Sequence, residues 1–231
     1  MVVLALDTSS ASGSAAIVRD GDVLVERAGD GSRTHGERLP RELMDVLGSA
    51  RLTLDDVDGY AVCTGPGSFT GLRVGIATMQ GLALARGARV APVSAFEAMA
   101  AHKAAGADWL AIWIDAHRGE VFATLLDSRG RTVERPTSLP PAATLDAWAH
   151  ALDSAARVTF AGDGAVTHRG VISARLGDRA RLDAEVPLLA GAIGRIAIDD
   201  PSRAVAPHAV VPLYVRRPDA ELARERTRRQ Q

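Results

Sequence analysis

Two aspartates follow short apolar segments and have the chemistry of a magnesium or proton-transfer site. Asp7 follows residues 2–6 and Asp115 follows residues 109–114, and both segments are predicted strands. Carboxylates at strand ends facing a cleft can hold Mg²⁺ beside a nucleotide or act as general base in phosphoryl transfer. Alternatively, each carboxylate accepts N–H groups from the turn that follows it, as aspartate does before Ser, Thr and Gly. We favour the turn interpretation.

A glycine-rich segment, GPGSFTGLR at residues 65–73, follows a predicted strand at 59–63 and opens a predicted helix. Backbone N–H groups in such a place can bind an anion. The spacing fits neither common phosphate motif, because Leu72 and Arg73 stand where a P-loop needs Lys and Ser or Thr. The third glycine also comes one residue too late for a dinucleotide fingerprint. A tight turn that lets the next helix pack closely is therefore favoured.

A second short glycine segment follows the predicted strand at residues 158–161. Gly162 and Gly164 flank Asp163 there and repeat the placement of the first glycine segment. With Asp7 and Asp115 they are weak candidates for nucleotide binding. The pattern is too short to define an adenosine pocket, so we predict no bound cofactor.

The helix predicted over residues 70–86 carries Gly71 and Gly75 on one face. Glycine inside a helix is less favourable than alanine by about 1 kcal/mol, so a close approach by another element should compensate. We predict that this helix and the one near residues 37–50 form a partner-binding face, part of which is the protein's own core. The predicted interface residues are Leu39, Leu43, Val46, Leu47, Gly71, Leu72, Gly75, Ile76 and Met79.

Metal and nucleophile chemistry find little support in the sequence. Leu39 lies four residues after His35, where a helical metal pair needs a second histidine, and the other five histidines are scattered singly. Cys63, the single cysteine, and Ser68 have no evident histidine partner. We therefore predict neither a metal site nor catalytic residues, and we disfavour a peptidase.

Composition narrows the class of protein further. The 231 residues carry 27 Lys and Arg against 28 Asp and Glu, a net charge of −1, which argues against autonomous nucleic-acid binding. No signal peptide or membrane-length apolar run is evident, so we expect a cytoplasmic protein without a membrane partner. Residues 216–231 hold six arginines and three acids. A solvated tail is favoured there over an electrostatic contact with nucleic acid within an assembled complex.

The order of predicted elements repeats once along the chain. Each half opens with three hairpin-connected strands and continues with strand–loop–helix units, which predicts an α/β fold of two similar lobes, each a mixed sheet with flanking helices. We place the lobes at residues 1–103 and 104–231, and we predict that Ser94 and Glu97 cap a helix. This plan resembles the actin-like ATPase superfamily of sugar kinases, Hsp70 and actin.

Five segments are similar to the TsaB (YeaZ) family, in the order that family shows them. They are LALDTSSASGSAAIV, CTGPGSFTGLRVGIATMQGLALA, IDAHRGEVFATLL, FAGDGA and VPLYVRRPDAE. The resemblance implies the actin-like fold and a non-catalytic partner of the paralogue TsaD, working with the ATPase TsaE. TsaD transfers a threonylcarbamoyl group to an adenosine of certain tRNAs and carries a His-x-x-x-His metal pair. TsaB-like proteins pair through helices of the N-terminal lobe.

Three functions therefore stay open at this point. The favoured one is an accessory subunit that meets tRNA only through its complex. An actin-fold ATP-dependent small-molecule kinase using Asp7 and Asp115 is the alternative from another class. A protein that self-associates, as a homodimer when alone, is the third.

Overall fold

The structure is a computed structural model that describes residues 1–102 and 108–216. Its first half forms a five-stranded sheet whose strand order is β3-β2-β1-β4-β5. The first three strands are an antiparallel meander, and β4 and β5 continue the sheet in parallel. The elements of this half are β1 (Val2–Asp7), β2 (Ser14–Arg19), β3 (Asp22–Ala28), α1 (His35–Ser49), β4 (Gly59–Gly65), α2 (Phe69–Ala85), β5 (Val90–Ser94) and α3 (Ala95–His102).

The second half repeats the plan with the order β10-β9-β6-β7-β8. Here β6, β7 and β8 form the antiparallel meander, and β9 and β10 are parallel to β6. The predicted internal repeat is confirmed. The elements are β6 (Trp109–Asp115), β7 (Val121–Leu126), β8 (Thr132–Leu139), α4 (Pro141–Ala147), α5 (Ala149–Ser154), β9 (Val158–Ala161), α6 (Asp163–Thr167), α7 (Arg169–Leu176), β10 (Ala180–Leu182) and α8 (Ala190–Asp199).

Buried apolar side chains form three layers, one on the outer face of each sheet and one between the two lobes. Helices α1 and α2 cover the outer face of the first sheet, and α4, α5 and α7 cover the outer face of the second. The third layer lies between the lobes and mixes residues of both sheets with α3 and α8. In the outer layer of the second lobe, the Trp113 ring packs edge-on against Trp148 and Phe160, with ring centroids 6.2 and 5.3 Å apart.

Helix α8 corrects the predicted lobe assignment. It follows the second sheet in sequence but packs on the first. Glu26 Oε1 of β3 accepts a hydrogen bond from the backbone N–H of Gly191 at 2.8 Å, and Ser14 Oγ of β2 accepts one from Ala190 at 3.0 Å. A Cβ on Gly194 would overlap Val18, so the helix lies directly on the sheet. The residues after 104 are therefore not all part of the second lobe. The predicted boundary at residues 103 and 104 itself lies outside the described residues.

Capping boxes show how local sequence starts helices α3 and α1. Ser94 Oγ accepts the N–H of Glu97 at 3.1 Å, and Glu97 Oε2 accepts the N–H of Ser94 at 2.9 Å, as predicted. Thr34 and Glu37 form the same box before α1. Within the described ranges, no helix is both long and apolar enough to cross a bilayer.

Candidate functional site

The two candidate carboxylates make the same local turn. At the end of β1, Asp7 Oδ1 accepts the backbone N–H of Ser9 at 2.9 Å. At the end of β6, Asp115 Oδ1 accepts the N–H of His117 at 2.8 Å. The turn interpretation of both residues is confirmed, and the pair occupies equivalent positions of the repeat.

Their surroundings differ sharply. Asp7 is 4% exposed, and burial raises its pKa from 3.8, although hydrogen bonds from Ser9 and Cys63 oppose that rise. Burial and the charge of Asp7 also raise the pKa of the Cys63 thiol well above 9.0. A thiol held in its protonated form is a poor nucleophile, which weakens the peptidase interpretation further. Asp115 is one third exposed, and its Oδ2 lies 3.6 Å from His117 Nδ1.

Asp115 faces a cleft of about 340 Å³ between the lobes, and Asp7 does not line it. The kinase interpretation requires both carboxylates beside the same nucleotide, and the structure brings only one of them to this cleft. The cleft is lined by the first turn of α2, the end of β6, Phe122 of β7 and the C-terminal segment. Its polar and charged side chains are Ser68, Thr70, Asp115, His117, Tyr214 and Arg216.

The C-terminal segment, residues 210–216, crosses this cleft from one lobe to the other. The N–H of Leu213 donates to the carbonyl oxygen of Thr64 at 2.7 Å. The Tyr214 ring stacks on Phe69 of α2 with centroids 5.4 Å apart. Arg216 then reaches Glu120 beside β7 at 3.1 Å. This segment forms one wall of the cleft and joins both lobes. The rest of the predicted arginine-rich tail lies outside the described residues.

The first glycine segment is a packing device. Ser68 caps α2 by accepting the N–H of Gly71 at 3.2 Å. A Cβ on Gly71 would overlap the carbonyl oxygen of Thr8, and one on Gly75 would overlap the Thr8 hydroxyl. Because the two glycines have no side chains, the turn after β1 can pack directly against the backbone of α2. The expected close approach by another element is therefore present, but that element is the chain's own turn and not a partner, and these contacts agree with the preference for close packing over phosphate binding.

The second glycine segment packs in the same manner against β6. A Cβ on Gly162 would overlap the carbonyl oxygen of Trp113, and one on Gly164 would lie 2.9 Å from the carbonyl carbon of Ile114. Asp163 Oδ1 accepts the N–H groups of Asp115 at 2.9 Å and Gly164 at 2.8 Å. Close packing accounts for both glycines.

All nine predicted interface residues are buried within this chain. They form the inner face of α1 and α2, against the first sheet and the turn after β1, and Leu72 also lines the interlobe cleft. If these helices bind a partner, they must do so through other positions. Those buried residues are Leu39, Leu43, Val46, Leu47, Gly71, Leu72, Gly75, Ile76 and Met79.

The outward face of the two helices was missed by the sequence reasoning. Met44 is 53% exposed and Leu84 is 75% exposed. Ala77 is exposed, and Gly81 is exposed with open space around its Cβ position. The signal was present in the helical period, because these positions lie between the buried ones.

Histidines and acids do not assemble into a metal site in the described ranges, where no group of three or more His, Cys, Asp or Glu side chains is placed to share an ion. His35 lies at the start of α1, and burial lowers its pKa from 6.5. Leu39, one turn later, points into the core.

Comparisons with known proteins point to one group of tRNA-modification proteins. The family model for TsaD, tRNA N6-adenosine threonylcarbamoyltransferase, matches residues 27–169. An uncharacterized protein of Mycobacterium tuberculosis is 33% identical over 225 residues, 95% of this chain and 93% of that one. Bacillus subtilis TsaB, a tRNA threonylcarbamoyladenosine biosynthesis protein, is 26% identical over 233 residues, 96% of each chain. The structure of YeaZ from Pseudomonas aeruginosa superposes with a TM-score of 0.74 at 31% identity, over 92% of this chain and 99% of that one.

The chain belongs to the TsaB (YeaZ) family. This membership supports involvement in threonylcarbamoyladenosine biosynthesis. The fold is also found in the activator of 2-hydroxyisocaproyl-CoA dehydratase from Clostridium difficile, with a TM-score of 0.55 at 12% identity, over 93% of this chain and 100% of that one. The predicted actin-like ATPase fold is confirmed.

Proposed function

We propose that this chain is a non-catalytic scaffold subunit of the machinery that makes N6-threonylcarbamoyladenosine in tRNA. It binds the TsaD-like catalytic paralogue and supports it together with a TsaE-like ATPase, and it meets tRNA only through that complex. The observation that carries this proposal is similarity to TsaB along 96% of both chains. The buried Asp7, which does not line the interlobe cleft, argues against the kinase alternative.

The partner surface is the outward face of α1 and α2. The two helices pack side by side on the first sheet, and their outward positions offer apolar side chains in Met44 and Leu84. Gly81 lies on the outward face of α2 with nothing within 4 Å of its Cβ position. A small residue there lets a partner helix approach the backbone of α2 closely.

Omitting this protein from a reconstituted tRNA modification mixture tests the function directly. Modification should stop without it and resume when it is added back. Modification that proceeds at an undiminished rate would contradict the proposal. Calorimetry with ATP and Mg²⁺ covers the alternative, because tight binding that is lost in Asp115→Asn would favour a kinase.

Gly81→Gln tests the partner surface. Glutamine is a better helix former than glycine, so the isolated chain should stay folded. The added side chain should weaken binding of the paralogue by at least about tenfold, equivalent to 1.4 kcal/mol, as measured by calorimetry. Gly170→Gln is the matched control, since Gly170 is an exposed helical glycine of α7 that also has open space around it. Wild-type affinity in Gly81→Gln would place the interface elsewhere.

A further inference from the structure

The loop of residues 8–13, between β1 and β2, is held by α1 through one buried arginine. Arg38 is 3% exposed. Its Nη2 donates to the carbonyl oxygens of Ala11 at 2.9 Å and Ser12 at 2.7 Å. Its Nη1 donates to Glu42 Oε2 at 2.6 Å, one turn along the same helix. The planar guanidinium thus fixes the distance between α1 and the far end of the loop.

Helix α2 touches the other end of the same loop through positions that lack a side chain. Gly71 leaves room for the carbonyl oxygen of Thr8, and Gly75 leaves room for the Thr8 side chain. A Cβ on Gly75 would also lie 3.0 Å from Thr8 Cβ. Just before α2, the N–H of Ser68 donates to the carbonyl oxygen of Ser9 at 2.7 Å. The loop is therefore in contact with both helices at once.

These contacts do not maximise stability. Burying a guanidinium requires its desolvation, and an apolar replacement is often as stable. Glycine is unfavourable inside a helix. The Thr8 hydroxyl is buried and has no hydrogen-bond partner in the described part of the chain, which also opposes folding. The three features share one effect, because each sets how closely a helix approaches the loop.

We propose that the loop of residues 8–13 sets the relative position of α1 and α2, with Arg38 and Thr8 as its positioning residues. The inference rests on the proposed function, since the outward face of these two helices is the surface offered to the TsaD-like paralogue. Neither side chain touches the partner. Each acts by holding a helix in the place where its outward residues fit.

Arg38→Lys tests the α1 contact. Lysine keeps the charge but lacks the fork that reaches two carbonyl oxygens and Glu42 together. Affinity for the paralogue, measured by calorimetry at a temperature where circular dichroism shows the variant fully folded, should fall by at least about tenfold. Leu145→Ala is the control, because Leu145 is buried in the core of the second lobe, away from the loop. It lowers stability while leaving the affinity of the folded chain unchanged. Wild-type affinity in Arg38→Lys would overturn the role of Arg38.

A compensating pair tests the α2 contact and does not depend on Arg38→Lys folding. Gly75→Ala places a methyl group against the Thr8 side chain and should weaken binding by about tenfold. Adding Thr8→Ala removes the hydroxyl and the methyl group that it would meet, so the double variant should recover most of the affinity. An unchanged affinity in Gly75→Ala, or no recovery in the double variant, would overturn the role of Thr8.

The wild-type chain separates this inference from the function on which it rests. If wild-type protein fails to bind the paralogue, the proposed function is wrong. If wild type binds and both the lysine variant and the glycine variant bind equally well, only the positioning role is wrong.

Discussion

Gly71 and Gly81 lie in one helix, but they face opposite surroundings. A Cβ on Gly71 would overlap the backbone of Thr8, whereas one on Gly81 would meet nothing within 4 Å. When nothing packs against a helical glycine, no contact offsets the unfavourable backbone entropy of glycine in a helix. Gly81→Ala should therefore raise the free energy of unfolding by about 0.5–1 kcal/mol. Gly71→Ala should lower it by about 1–3 kcal/mol, because the neighbouring backbone must move.

Urea denaturation of the two variants measures both changes in the isolated chain. Because Gly71 and Gly81 are in the same helix, the difference in helix propensity is common to both, and the contrast reports the surroundings. Equal effects of the two substitutions would show that Gly71 is not closely packed.

The buried Asp7 should make stability depend on pH. Its pKa is raised in the folded chain, so the folded state binds a proton more tightly than the unfolded chain does, and stability falls as pH rises above 3.8. Asp7→Asn removes the charge but keeps an oxygen to accept the N–H of Ser9. The variant should unfold at a higher temperature than wild type at pH 7.5, and the gap should shrink near pH 4.

Asp115→Asn is the control for that comparison, because it alters a partly exposed carboxylate in the same type of turn. Its effect on Tm should be small at both pH values. His35 acts in the opposite sense, because burial lowers its pKa, so its contribution to stability is lost as pH falls below 6.5. Because the charge of Asp7 raises the pKa of His35, Asp7→Asn lowers that pKa further, and this change also makes the gap shrink as pH falls. An Asp7→Asn variant less stable than wild type at pH 7.5 would contradict the prediction.

At the scale of elements, local patterns identified most strands and helices. The predicted strand 158–161 matches β9, and the capping box of Ser94 and Glu97 was readable because its partners are three residues apart. The continuous apolar run of residues 2–6 is consistent with a strand buried on both faces, but it does not identify α8 as the helix that covers the inner face, because the residues of α8 lie far away in sequence. The partner face of α2 could not be placed from sequence for a related reason, since Gly71 and Gly75 contact Thr8, which lies far earlier in the chain.

The α3 cap gives a prediction for an element. Ser94→Ala removes the hydroxyl that accepts the N–H of Glu97 at 3.1 Å. The free energy of unfolding should fall by about 1 kcal/mol, as measured by urea denaturation. Ser32→Ala serves as control, because that hydroxyl belongs to an exposed turn and caps no helix. A change as large in the control as in Ser94→Ala would contradict this interpretation of the cap.

At the scale of the molecule, the internal repeat was predictable from sequence. The packing of α8, which follows the second sheet in sequence, on the first sheet was not. Hairpin and loop signals recur in sequence, so two lobes could be inferred. Nothing local indicates that α8 covers the first sheet, where Gly194 meets Val18 across 176 residues of chain. Asp115 and Tyr214 line the same cleft although they lie about a hundred residues apart in sequence, so this placement is long-range too. Asp115 was found from its place after a strand, and Tyr214 carried no such signal.

Because α8 covers the inner face of the first sheet, we predict that the first lobe cannot fold alone. A fragment of residues 1–102 lacks α8, so the inner face of its sheet, including Val3, Ala5 and Val18, would be exposed to water. Calorimetry should show no cooperative unfolding transition for the fragment, in contrast with the whole chain. A reversible, two-state transition in the fragment would show that α8 is dispensable.

Because α8 lies late in the sequence but packs on the first sheet, it also affects the order of folding during synthesis. The strands of the first lobe leave the ribosome early, but the helix that covers their inner face is among the last elements made. Until then an apolar sheet surface stays open, a state in which nascent chains are prone to aggregate or to be held by chaperones. In many proteins the N-terminal unit folds first. Here the first lobe cannot complete its fold until α8 has been synthesised, so it does not fold ahead of the second.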